Sequence, residues 1–282
     1  MISDKNLKQS IQASVDLSIQ EDLGDGDLTA SLIPKNTLGE ASIISRVNCI
    51  LCGIDWAEKT FHSLAQSIKI DWHYHDGEQV AAGESICTLR GPVRALLTGE
   101  RAALNFLQTL SAVATKTNRY VKAIAHTKAK ILDTRKTLPN LRLALKYAVK
   151  MGGGENHRIG LFDGILIKEN HIIACGGITN SLKSAQNIGE QIPIQIEVES
   201  IPQLREALAN DAKLILLDNF TLQSMNEAVR IVNGQALLEA SGGITLKSIV
   251  EIAETGVDRI SIGTLTKDIE SIDLSMRLTF ET

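Results

Sequence analysis

Arginine, lysine and histidine gather in three short stretches of this sequence: Arg135-Lys136 in DTRKT, His157-Arg158 in NHR, and Lys168 in LIKEN. Guanidinium groups hold planar carboxylates by paired hydrogen bonds and an ammonium supplies a compact charge, so the mixture suits a ligand bearing carboxylates and phosphates together. Any one of these cations alone would equally suit a solvated surface. His157 by itself reads as a structural histidine; its place in Asn156-His157-Arg158 makes it a binding group instead of a proton carrier. Glu197 in IEVE and Asp218 in LLDN close two successive strand candidates. Such carboxylates can flank a magnesium ion held mainly by substrate phosphates and water, steady a developing positive charge, or simply pair with nearby cations. Ser241-Gly242-Gly243 and Ile262-Gly263-Thr264 follow the last two strand candidates, where exposed backbone N–H groups can cradle a phosphate.

The elements that must position these groups are legible from Ala129 onward, where short β-branched runs alternate with helical patterns. Six strands are expected, in AKILDTR, ILIKE, IPIQIEV, LILLDN, ALLEAS and RISIG, each apolar first and polar or glycine last. LRLALKYAVK, NSLKSAQNIG, IPQLREALAN, LQSMNEAVRIV and TLKSIVEIAETG supply the intervening helices. The pattern is a (β/α) series, whose chemistry belongs at the C-terminal strand ends, and six strands are too few for a closed eight-stranded barrel. An open, incomplete (β/α) barrel is therefore expected. The earlier stretch, with strands in GEASIISRVNCILCGI and IKIDWHYHDGEQVAAGESICTLRGPV around a helical WAEKTFHSLAQ, reads as a separate α/β sandwich. The expected division is 1–113 for this N-terminal α/β sandwich domain with its linking helix, and 114–282 for the barrel, with a C-terminal tail able to return to the first domain.

A net charge of -4 in 282 residues gives no general footprint for nucleic acid. No apolar run approaches the roughly 20 residues that cross a bilayer, and the polar start lacks a signal-peptide core, so a cytoplasmic location without membrane association is expected. Four cysteines do not suggest a disulfide scaffold; Cys49 and Cys52 form a C-x-x-C without a second ligand pair and read as buried thiols. His73 and His75 lack a third metal ligand and fit a surface strand. Asp22, Asp25 and Asp27 lack the later bidentate glutamate of a calcium loop and fit a turn before a capped segment.

With EDLGDGDLTA, GERAALNFLQTLSAVAT, the long DTRKTLPNLRLALKYAVKMGGGENHRIGLFDGILIKENHI, IEVE, LLDNF, EASGGI and ISIGTLT in place, the chain resembles the quinolinate phosphoribosyltransferases, a type II phosphoribosyltransferase family, over nearly its whole length. The resemblance implies phosphoribosyl transfer from phosphoribosyl pyrophosphate to quinolinate with decarboxylation, giving nicotinate mononucleotide, pyrophosphate and CO2 in NAD biosynthesis. It implies a quinolinate site of Arg135, His157, Arg158 and Lys168, completed by Arg101 borrowed from the neighbour in a homodimer, itself able to build a hexamer. The phosphoribosyl pyrophosphate site would comprise Lys136, Glu197, Asp218, Ser241, Gly242, Gly243 and Gly263, with Lys136, Glu197 and Asp218 catalytic. Mg2+ near Glu197 and Asp218 is the expected cofactor, with no organic cofactor. Asn140 stands where the family usually has glycine. A monocarboxylate phosphoribosyltransferase would need fewer ring contacts than this cationic set offers, and a non-catalytic relative would have no use for Lys136, Glu197 and Asp218.

Overall fold

The computed structural model describes residues 3–189 and 191–279. They fall into two compact units that interleave along the chain: 3–118, 137–153 and 265–279 form the first, and 119–136 with 154–264, apart from residue 190, the second.

The first unit opens with helix α1 (Asp4–Leu23), capped by Ser3, whose hydroxyl accepts the Asn6 backbone N–H at 3.2 Å. Only Ile11 and Val15 of this helix are buried, which is why its polar sequence carries no clear amphipathic signal. The chain then runs through β1 (Leu38–Ser45), β2 (Cys49–Ile50), α2 (Ile54–Leu64), β3 (Lys69–Trp72), β4 (Gln79–Val80) and β5 (Ser85–Pro92) into the long helix α3 (Val93–Ala123). α3 carries the chain from the first unit into the second. Its Leu96, Leu104 and Leu107 pack with Phe61 of α2 and with Ile43 and Leu89 of the sheet in one buried core. His73 lies just past β3, with its Nδ1 3.0 Å from the Ser85 carbonyl oxygen. Asp27 accepts the Ala30 backbone N–H at 2.9 Å and the Thr98 hydroxyl at 2.8 Å, forming the expected capped turn. Cys49, Cys52 and Cys87 are free and buried, and burial pushes the Cys87 thiol up to about 12.

The chain enters the second unit's sheet at β6 (Lys130–Leu132), then returns to the first unit as α4 (Arg142–Met151). The expected division counted this stretch with the barrel; its contacts group it with the first unit. The cause is specific. Tyr147 of α4 donates its hydroxyl to Asp76 Oδ2 at 2.9 Å and stacks at a tilt on Trp56, while Asp76 Oδ1 accepts the Gly53 and Ile54 N–H groups at the start of α2. Gly152, just after α4, lies so close to Ala114 and Thr117 of α3 that a Cβ would collide with both.

The second unit continues with β7 (Ile165–Ile167), α5 (Glu169–Cys175), α6 (Ile178–Gln186), β8 (Ile194–Val198), α7 (Ile201–Ala209), β9 (Leu214–Asp218), α8 (Leu222–Val232), β10 (Leu237–Ser241), α9 (Ile249–Glu254) and β11 (Arg259–Ser261). All six expected strands form. They make a parallel sheet in the order β6-β11-β10-β9-β8-β7, so first and last strands pair and the opening lies between β6 and β7. Glu155 makes a lone parallel bridge to Leu132 on the open side of β6. A short helix α10 (Thr264–Lys267) leads back to the first unit, where β12 (Leu274–Thr279) completes an antiparallel sheet ordered β12-β1-β5-β3. The fold is an α/β sandwich domain plus an open α/β barrel, and no helix among the described residues is long and apolar enough to cross a membrane.

Candidate active site

Side chains alternate across a strand, so the sheet register decides which of them face the barrel interior. Glu197 pairs with Leu216, Leu216 with Glu239, and Ser241 with Asp218; Arg259 pairs with Glu239 and Lys130, and Ser261 with Leu132. One parity therefore runs through Glu197, Asp218, Ser241 and Gly263 at the C-terminal ends. Lys168 continues it one residue beyond β7, opposite Glu197, and Lys136, past the end of β6, lies near enough for its charge to lower the Asp218 carboxyl. Ile196, Ile215, Leu217, Ala240 and Ile260, all of the opposite parity, are fully buried. Apolar residues thus fill the outer layer and the ionisable ones are left at the inner mouth.

The interior groups are in contact. Lys168 Nζ donates to Glu197 Oε2 at 2.9 Å, with the lysine half exposed and the glutamate largely buried. Burial raises the Asp218 carboxyl above its ordinary value, the Glu197 charge raises it further, and Lys168, Lys136 and a hydrogen bond from Asn219 oppose both. That bond, Asn219 Nδ2 to Asp218 Oδ2, is 2.8 Å long, and Asn219 itself adopts φ 55° while its N–H reaches the Ser241 carbonyl at 3.0 Å. Gly242 has φ 110° and abuts Asn219, so a Cβ there would collide with the amide oxygen. Lys136 Cδ would lie 3.0 Å from a Cβ at Gly263, so the lysine stem passes closely over this strand end.

Arg135 and Arg158 form the second half of the cationic rim. Burial, then the charge of Arg135, lowers the Arg158 guanidinium from its usual value, and Arg158 Nη1 donates to the Gly164 carbonyl at 2.9 Å. Arg135 Nε is buried and makes no hydrogen bond. Two guanidinium groups this close destabilise each other unless an anion lies within reach of both. The loop carrying Arg158 is pinned by Asp133, whose carboxylate accepts the His157 N–H at 2.9 Å and the Asn156 amide at 2.6 Å, and by Asp163, which accepts the Ile159 and Gly160 N–H groups. Asp133, Asn156, Gln195, Asn219 and Glu239 have no role of their own in the sequence reading. Their signal was there as polar residues in the DTR, NHR and LLDN motifs and within otherwise apolar strands. Arg101 stands exposed on α3 in the first unit, apart from the barrel residues in sequence and in unit.

Asn140, in the segment after Lys136, adopts φ 62°. The asparagine therefore takes up the left-handed geometry that a glycine would supply at no steric cost.

An open parallel barrel whose C-terminal mouth combines paired guanidiniums, two lysines, a carboxylate pair and glycine turns defines a barrel enzyme for multiply anionic substrates. The family models for quinolinate phosphoribosyl transferase match residues 27–111 (N-terminal domain) and 113–277 (C-terminal domain). A probable nicotinate-nucleotide pyrophosphorylase (carboxylating) of Bacillus subtilis is 43% identical over 260 residues, which is 92% of this chain and 90% of that protein. A mitochondrial quinolinate phosphoribosyltransferase (decarboxylating) of Nicotiana tabacum is 38% identical over 96% of this chain and 83% of its own. The solved nicotinate-nucleotide pyrophosphorylase of Francisella tularensis superposes with a TM-score of 0.94 at 46% identity, covering 96% of both chains. The chain belongs to the quinolinate phosphoribosyltransferase family.

Proposed function

We propose that this chain transfers the phosphoribosyl group of phosphoribosyl pyrophosphate to the ring nitrogen of quinolinate and releases the adjacent carboxylate as CO2, forming nicotinate mononucleotide and pyrophosphate in NAD biosynthesis. The observation that carries this reading is the gathering of Lys136, Lys168, Glu197, Asp218, Ser241 and Gly263 at the C-terminal strand ends beside the Arg135–Arg158 pair, in a chain of this family. Arg135, Arg158 and Lys168 hold the two ring carboxylates, with His157 beside them. Lys136 and the Ser241-Gly242-Gly243 and Gly263 turns meet the phosphates.

In the transfer step the pyridine nitrogen lone pair forms a bond to the ribose anomeric carbon as its bond to pyrophosphate breaks, the bonding electrons leaving with the pyrophosphate. Positive charge builds on the sugar, and the carboxylates of Glu197 and Asp218 stabilise it; Lys136 meets the charge gathering on the leaving group. The quaternised ring then accepts the electron pair released when the carbon–carboxylate bond breaks, and a proton replaces CO2 on that carbon. No organic cofactor is required for this balance.

Glu197 and Asp218 supply hard oxygen donors; burial and then the Glu197 charge raise the Asp218 carboxyl, and a divalent cation would offset both. Among the described residues there is no group of three or more His, Cys, Asp or Glu that could hold a metal unaided, so the fit is to Mg2+ coordinated mainly by substrate phosphates and water. Bound there, the ion would neutralise charge on the pyrophosphate. We read the chain as a cytoplasmic homodimer, able to assemble further to a hexamer, in which Arg101 completes the partner's quinolinate site. Exposed Leu28 and Leu32 of the first unit and Leu161 and Phe162 of the second offer the apolar surface such an assembly would cover.

The decisive assay supplies quinolinate labelled in the carboxylate next to the ring nitrogen. Label is expected as CO2 only when phosphoribosyl pyrophosphate is present. Efficient turnover of nicotinate without CO2 would instead favour a monocarboxylate enzyme, and binding without turnover a non-catalytic relative.

A further inference from the structure

Glu239 lies on the inner face of β10, two residues before Ser241, and is 1% exposed. Its Oε2 accepts Gln195 Nε2 at 3.0 Å, Gln195 Oε1 faces His157 Nε2 at 2.8 Å, and His157 Nδ1 accepts the Arg158 backbone N–H at 2.8 Å. The other carboxylate oxygen, Oε1, makes no hydrogen bond and sits 3.7 Å from His157 Nε2. A buried carboxylate with an unsatisfied oxygen is costly, and an apolar side chain would fill the same core more cheaply. Filling space is not a sufficient reason for it.

The donors in this chain run in one direction. A carboxylate can only accept, so Glu239 turns the Gln195 amide with its NH2 toward β10 and its carbonyl toward His157. That carbonyl needs a donor, which places the ring proton on Nε2 and leaves the Nδ1 lone pair for the Arg158 backbone. Flipping Gln195 would set carbonyl against carboxylate and NH2 against N–H. We infer that Glu239 is a positioning residue for Arg158, acting through Gln195 and His157 to fix the imidazole tautomer and thereby the Arg158 backbone, from which the guanidinium that receives a ring carboxylate extends. The inference rests on the reading above that Arg158 binds that carboxylate. It also gives His157 an orienting role, since both of its ring nitrogens are engaged within the protein.

The test uses the full-length enzyme labelled with 15N-histidine, with the His157 signals assigned from a His157→Asn control. Variants Glu239→Gln, Gln195→Met and their combination are compared by imidazole 15N shifts, by calorimetry with quinolinate and separately with phosphoribosyl pyrophosphate, and by thermal melting. Wild type is expected to show the Nε2–H tautomer. Either single variant should mix the tautomers and weaken quinolinate about tenfold, the scale of one buried charge-assisted hydrogen bond, with phosphoribosyl pyrophosphate affinity unchanged. The double variant should be no worse than the singles, because all break one chain. Should Glu239→Gln not fold, Gln195→Met carries the same test. Arg158→Ala separates the two layers: if it retains quinolinate affinity, the site reading itself fails. If it loses that affinity while folded Gln195→Met or Glu239→Gln keeps the wild-type tautomer and wild-type quinolinate affinity, the positioning role is overturned. Equal losses for both ligands with an unaltered tautomer would likewise overturn it, in favour of a packing role.

Discussion

Lys168 and Glu197 sit at the ends of adjacent parallel strands and are joined by a 2.9 Å ion pair. A residue assigned to the dicarboxylate is thus held by one assigned to the phosphoribosyl group. On the proposed assignment the two halves of the site are coupled through this pair, and a ring carboxylate would compete with Glu197 for the ammonium.

Lys168→Ala is expected to weaken quinolinate by about tenfold or more, as for loss of a charge-assisted contact, and phosphoribosyl pyrophosphate much less. Calorimetry with each ligand alone decides this. Equal losses would show that the lysine serves mainly to hold Glu197 in place.

The acid limb of the kcat/KM–pH profile, which reports the enzyme before substrate and metal bind, should report Asp218. Its carboxyl is raised by burial and by Glu197, so the folded group protonates above the ordinary carboxylate value of 3.8, and kcat/KM should fall as pH drops through that raised value. Removing the negative neighbour with Glu197→Gln should move the limb to lower pH. Lys168→Ala, which removes a stabilising cation, should move it to higher pH. Limbs that stay in place in both variants would detach the profile from Asp218.

Glu197→Ala and Asp218→Ala should each lower kcat by about a hundredfold, the scale of one electrostatic stabiliser of a transition state, with a smaller loss of quinolinate affinity. Exhaustive chelation should abolish turnover of the wild type, with Mg2+ and not Zn2+ restoring it, because the available donors are hard oxygens. Full activity after chelation would rule out the metal requirement.

Gly242→Ala should be damaging out of proportion to its one added carbon. The backbone there has φ 110°, and the new Cβ meets the Asn219 side chain that hydrogen-bonds Asp218. A cost of about 1–3 kcal/mol in stability is expected from the backbone conformation, and phosphoribosyl pyrophosphate affinity should fall with it. Unchanged melting and binding would mean that this turn relaxes freely.

Arg101→Ala mixed with Lys168→Ala, assayed at a quinolinate concentration too low for either parent to bind it, tests the shared site. Each parent keeps the group the other lacks, so a heterodimer regains one complete site, and equal random mixing should restore about a quarter of wild-type activity under two-fold symmetry. No recovery, with subunit exchange confirmed by mass spectrometry, would place Arg101 with its own barrel.

How much of this was legible beforehand follows from the range of the interactions involved. The six barrel strands, the sandwich strands and α3 were readable because each is a local pattern of apolar and polar residues over one element. The candidate residues at the strand ends were readable for the same reason, since a parallel strand announces its end where apolar residues give way to charge. Helix α1 was not, because it buries only Ile11 and Val15.

The tertiary structure alone decided what depends on pairing between distant segments. The placement of α4 in the first unit rests on Tyr147 meeting Asp76 and Trp56, contacts that no periodicity within RLALKYAVKM encodes. The opening of the barrel between β6 and β7 is likewise a matter of strand order. The inward parity shared by Glu197, Asp218 and Ser241 comes from register, because a one-residue slip of a strand would turn its side chain outward. The Glu239–Gln195–His157 chain lies furthest from sequence reading: its members stand 44 and 38 residues apart, and only hydrogen-bond geometry in a closed interior can bind them into one unit.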